Sequence, residues 1–145
     1  MAFDAGFLAA IAAEIKQLAL GGRVEKVYQP ERDEIVIQMR SFEGEKRLLI
    51  NAGSNNPRIG FSAVRRENPQ NPPMFCMLLR KHLTGAMIKD IRQQGMDRIL
   101  FIDFDATNEI GDRIELNVCM EIMGKHSNFI LLSEGRVIDS MFLVA

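Results

Sequence analysis

The sequence predicts an α+β domain: an antiparallel β-sandwich or flattened barrel with two helices packed on it. Two segments carry apolar residues at helical spacing. About eight short segments alternate apolar and polar residues and are separated by Gly, Pro, Asn and Asp. The order is helix, strands, helix, strands, and runs of strands without alternating helices favour antiparallel pairing over a parallel βαβ sheet.

Phe3, Phe7, Leu8, Ile11, Ile15 and Leu18 fall on one face of a helix that Asp4 can cap and Gly21-Gly22 can end. Lys16 is the sole cation on its polar face, so core packing explains it better than a membrane surface does. Strands are predicted over Arg23–Gln29, Glu34–Arg40 (Ile35, Ile37 and Met39 on one face) and Glu45–Asn51, with Pro30-Glu31-Arg32-Asp33 as the first turn. A short strand at Arg58–Ser62 follows the loop Ala52–Pro57. Arg65–Pro73 is a loop by composition, and its prolines start a helix over Met74–Leu83. That helix is apolar on most faces, so it is a buried one. Arg80, Lys81 and His82 stand in its last turn and Gly85 is the expected C′ residue, with His82 read as screening the helix C-terminus.

Met87–Gln94 and Arg98–Asp105 form a hairpin around Gly95-Met96, with Leu100, Ile102 and Phe104 alternating. A turn at Asn108–Asp112 leads to a clean alternation. Ile114, Leu116, Val118, Met120 and Ile122 face one way, and Glu115, Asn117, Cys119 and Glu121 the other. Asn128–Leu132 and Val137–Phe142 make the last hairpin. An apolar strand that stops at Ala145 would leave a sticky edge, so more sequence is expected beyond it.

The 145 residues are enough for one domain and for a core that needs no disulfide or metal. With 47% apolar residues the chain is not disordered. Net charge of −1 argues against a uniformly basic nucleic-acid binder and leaves room for a local basic face. Twelve Arg against six Lys suit planar, two-point contacts to carboxylate or phosphate. No signal peptide or membrane-spanning run is read, which makes the cytoplasm the expected location. Cys76, Cys119, His82 and His126 lack zinc spacing, so no metal or other cofactor is expected.

No nucleophile elbow, P-loop, dinucleotide fingerprint or zincin motif occurs. Asp103 and Asp105 share a strand face, but Phe104 between them points the other way, and a solvated outer face is the simpler reading. Two segments invite a binding role instead. One is Gly95-Met96-Asp97-Arg98 at a hairpin tip. The other is Glu121 to Asn128, which gathers Glu, Lys, His, Ser and Asn around Gly124. Loops held by a rigid sheet are where function concentrates, and these side chains can contact phosphate, base edges and base faces. The competing reading is an ordinary turn with solvated charges.

These segments also carry a resemblance. Asn71-Pro72-Pro73-Met74-Phe75-Cys76-Met77-Leu78-Leu79-Arg80-Lys81-His82-Leu83, then Asp97-Arg98, then Glu121-Ile122-Met123-Gly124-Lys125-His126-Ser127-Asn128, resemble the N-terminal domain of the NFACT family, as do Phe3-Asp4 and Val27-Tyr28-Gln29-Pro30. The likeness covers essentially the whole chain, 1–145. It implies a fold related to the N-terminal domain of MutM-type DNA glycosylases, at the start of a longer multidomain protein. It also implies membership of a factor that binds obstructed large ribosomal subunits carrying peptidyl-tRNA. Such a factor recruits tRNA, chiefly alanine tRNA, for C-terminal tailing of the stalled chain. The family's Asp-Arg pair falls on Asp97 and Arg98, and its second tRNA-facing segment on Glu121, Ile122 and Met123. Lys125 and His126 join them by adjacency. Ala2-Phe3 stand where the glycosylases need an N-terminal proline and a carboxylate, so no enzyme activity is expected. The alternatives are a fibronectin- or fibrinogen-binding adhesin, the activity behind an older family name, and an inert scaffold in which Arg98 serves an internal ion pair.

Overall fold

A computed structural model describes residues 5–41, 44–52, 58–62, 68–93, 99–121 and 128–140. The elements are α1 (Ala5–Ala19), β1 (Arg23–Glu31), β2 (Glu34–Ser41), β3 (Gly44–Asn51), β4 (Arg58–Phe61), α2 (Met74–Leu83), β5 (Met87–Gln93), β6 (Ile99–Thr107), β7 (Arg113–Glu121), β8 (Asn128–Ser133) and β9 (Arg136–Ser140). Nine strands lie among the described residues, against an approximate tally of eight, and Arg58–Phe61 is the short strand expected at Arg58–Ser62.

The α+β class holds, and all strand pairs are antiparallel. The strands join in one sheet, ordered β4-β3-β2-β1-β5-β6-β7-β8-β9. The sandwich or barrel of the sequence reading is therefore one continuous sheet built from two meanders. They meet at a single register pair, Arg23↔Met87. Alternation places Ile35, Ile37, Met39, Leu100, Ile102, Phe104, Leu116, Val118 and Met120 in one core with Leu8 and Ile15 of α1 and Leu79 and Leu83 of α2. Ile122, Phe3 and Phe7 lie outside the residues described at side-chain level.

Both helices end as their glycines direct. Gly21 (φ +82) and Gly85 (φ +84) hold the left-handed conformation that releases the chain from α1 and α2. α2 lies along β1, where little of β5 pairs. There Arg80 Nε and Cys76 Sγ both donate to the Val27 carbonyl, at 2.7 and 3.5 Å. Lys26 and Arg80 stand over the Tyr28 ring at 5.3 and 5.6 Å. The Val27–Pro30 and Asn71–Leu83 motifs thus build one seam.

Pro30 is not in the turn the sequence suggested. β1 runs through it to Glu31, and the register shifts between Tyr28 and Glu31. A residue without an N–H fits a strand where pairing is already interrupted.

Candidate nucleic-acid interface

The strand register defines the site. β5 ends at Gln93 and β6 begins at Ile99; β7 ends at Glu121 and β8 begins at Asn128. Ile99 pairs with Glu121, and Glu121 with Asn128. The segments 94–98 and 122–127 are therefore tethered to four neighbouring strand ends, those of β5, β6, β7 and β8, which make one edge of the sheet across the strand direction. Of the expected site residues, Glu121 is described: it is half-buried at the end of β7, on the face away from the core. Asp97, Arg98, Ile122, Met123, Lys125 and His126 lie outside the described residues.

The base of this edge is anchored from the core side. Phe129, fully buried in β8, packs edge-to-face on Phe75 of α2 with ring centroids 5.8 Å apart. The Asn71–Leu83 motif accordingly braces the strand that receives segment 122–127.

On the outer face the structure assembles a constellation that the sequence reading missed. Arg92 grips Asp103 at two points, Nε to Oδ2 at 2.9 Å and Nη2 to Oδ1 at 3.3 Å, and its guanidinium lies 4.4 Å from the Phe101 ring centroid. Asn117 Nδ2 donates to Asp103 Oδ1 at 2.6 Å. The hydrogen bond with Asp103, first, and its charge hold the Arg92 guanidinium more firmly protonated than usual. Asp103 is 7% exposed, so the solvated reading fails for it. Asp105 keeps to the solvated side and pairs with Arg113 instead. The available signal was positional: Arg92, Phe101, Asp103 and Asn117 all fall on outward positions of adjacent strands. Cys119 sits in the same row. Burial, then the charge of Glu121, pushes its thiol up to about 11.

The opposite end of the sheet holds a cleft of about 530 Å³ lined by Lys81, His82, Asn108, Ile110, Ile114 and Ile138, among others. Burial, then the neighbouring Lys81 charge, lowers the His82 pKa, which favours a neutral ring over the charge-screening role expected for it. Among the described residues no group of three or more His, Cys, Asp and Glu is placed to hold a metal ion. No helix among them is long and apolar enough to cross a membrane.

The described residues thus form an antiparallel sheet in which the ends of β5 to β8 bracket segments 94–98 and 122–127, with the Arg80–Val27 seam joining α2 to β1. The chain belongs to the NFACT family: the model of its N-terminal and middle domains matches residues 4–144. It is 39% identical over 143 residues to the Rqc2 homolog RqcH of Bacillus subtilis, covering 97% of this chain and 25% of that protein. The human ribosome quality control complex subunit NEMF is 31% identical over 99 residues, covering 67% of this chain and 9% of NEMF. The solved N-terminal part of the fibronectin/fibrinogen-binding protein of Streptococcus suis superposes with a TM-score of 0.96 at 40% identity, covering 99% of this chain and 55% of that one. The chain thus spans about a quarter of the length of the Bacillus relative.

Proposed function

We propose that this chain is the tRNA-recognition module of a ribosome quality control factor. That factor binds large ribosomal subunits obstructed by peptidyl-tRNA and recruits tRNA, alanine tRNA first, for tailing of the stalled chain. The observation that carries the reading is the register Ile99↔Glu121↔Asn128, which tethers segments 94–98 and 122–127 to one sheet edge. The names of the Bacillus and human relatives support the ribosomal context. Arg98 pairs with phosphate or a base edge, and Asp97 orients it or accepts from a base amino group. Glu121, Ile122 and Met123 form the second contact, flanked by Lys125 and His126. The module binds and does not catalyse, acts in the cytoplasm, and takes the MutM-type fold as a binding platform.

The test is Asp97→Ala with Arg98→Ala in the full-length protein, followed by tRNA recovery from cells. Loss of tRNA with folding intact is expected; undiminished recovery ends the assignment.

The Streptococcus suis neighbour is named for fibronectin/fibrinogen binding, which favours a second reading, a fibronectin- or fibrinogen-binding adhesin. Cell fractionation separates the two. Protein found with ribosomes and missing from the cell surface leaves the adhesin without a site of action.

A further inference from the structure

Arg92, Phe101, Cys119 and Ile130 form one row across β5 to β8, because Arg92 pairs with Phe101, Phe101 with Cys119 and Cys119 with Ile130. The alternation of β6 and β7 turns this row away from the core, whose residues are Leu100, Ile102, Val118 and Met120. Phe101 and Ile130 are half-buried, so the row offers apolar surface on a face that elsewhere bears Lys89, Asp105, Arg113 and Glu115.

Arg92 is fixed and still accessible. Its guanidinium lies 4.4 Å from the Phe101 ring centroid, and Asp103 grips it at two points. Asn117 in turn holds Asp103 at 2.6 Å. Yet the Arg92 side chain is 49% exposed, while that of Asp103 is 10% exposed. Ordering a long side chain normally costs binding free energy, and here the fold has already ordered it. Asp103 offsets most of the charge, which makes Arg92 a poor magnet for a lone phosphate. What it presents is a flat, oriented cationic plane backed by an aromatic ring. Nucleobases stack on such planes.

The position matters as much as the chemistry. Phe101 and Cys119 stand two residues from Ile99 and Glu121, about 7 Å along the strands. Those are the strand ends that carry segments 94–98 and 122–127. The row is therefore continuous with the edge assigned above to tRNA.

We propose that Arg92 and Phe101, held by Asp103 and Asn117, form a stacking platform for an unpaired RNA base and extend the tRNA-binding edge onto the outer face of β5–β7. This rests on the tRNA reading of that edge.

The experiment uses the full-length protein and purified tRNA. Arg92→Lys and Phe101→Leu each weaken binding about tenfold, in the range for loss of one stacked base. Both keep the formal charge, so the dependence of affinity on salt stays that of the parent. Phe101→Tyr, which keeps the ring, retains affinity. Ultraviolet irradiation of the unaltered complex crosslinks RNA to the peptide that carries Phe101, a readout that does not depend on the variants' folding. Suppose Asp97→Ala with Arg98→Ala loses tRNA while Arg92→Lys and Phe101→Leu bind like the parent. The platform is then wrong and the tRNA reading stands. A crosslink confined to segments 94–98 and 122–127 overturns the platform in the same way. Failure of the unaltered protein to bind tRNA overturns both.

Discussion

Arg80 of α2 donates through Nε to the carbonyl of Val27 in β1 across 2.7 Å. The bond stands where a strand partner would, since β5 starts at Met87 opposite Arg23 and the chain beside Val24 is already the turn through Gly85 and Ala86 that follows α2. Cys76 supplies a second, weaker donor to the same oxygen. A partly buried hydrogen bond from a charged donor is worth about 1.5–3 kcal/mol. Arg80→Met, which keeps the packing of the stem, should destabilise the domain by roughly that amount in urea unfolding. Cys76→Ala should cost less than Arg80→Met does.

Gly22 links α1 to β1 in a space with no room for a side chain. A Cβ there would stand 2.9 Å from the Ala19 carbonyl oxygen, a backbone atom that accepts the Gly22 N–H at 2.9 Å and cannot swing aside. The Gly22 carbonyl also accepts the Ile88 N–H at 2.8 Å, so the link is held from the other side. Gly22→Ala should therefore destabilise by about 1–3 kcal/mol, as overpacking does. Gly60 has no atom within 4 Å of its would-be Cβ, and Gly60→Ala should fold at nearly the parental melting temperature. Thermal unfolding of the two variants side by side checks both expectations.

The elements legible in the sequence are those whose signals are local. The prolines before Met74 and Gly85 after Leu83 bracket α2, and the alternation from Arg113 sets β7, because those signals act within one segment. Pro30 misled for the opposite reason. Its meaning depends on a register shift with β2, which no stretch of β1 displays. The same holds at the candidate site. Glu121 was singled out from a motif and stands at the end of β7, whereas Asp103 was read as solvated because its partners lie elsewhere. Arg92 is 11 residues before it and Asn117 is 14 after, on separate strands. Only the register of β5, β6 and β7 puts them together.

Arg92 and Asp103 should also be coupled energetically. Removing Arg92 leaves a buried carboxylate held by Asn117 at 2.6 Å. Arg92→Ala should cost about 1–3 kcal/mol. The half-exposed guanidinium keeps it below the cost of breaking a fully buried pair. In an Asp103→Asn background the same substitution should cost less, because the carboxylate that needs Arg92 is gone. A double-mutant cycle by urea unfolding should return a coupling of roughly 1 kcal/mol. Additive single effects would mean that Arg92 stabilises the sheet through Phe101 alone.

Cys119 gives a pH dependence with a definite sign. Burial first, and then the Glu121 charge, raises its thiol from the ordinary 9.0 to about 11. The folded state thus holds its proton longer than the unfolded chain does. Its contribution is complete below about pH 9 and is lost as pH rises toward 11, where the unfolded thiolate pulls the equilibrium. The fall in stability should come to about 1–2 kcal/mol. Cys119→Ala should flatten the fall of stability between pH 9 and 11 without changing its course between pH 6 and 8. The difference between parent and variant carries the result. At pH 8 a thiol reagent should label the native parent slowly and the unfolded chain faster, because the reactive thiolate is far scarcer in the folded state.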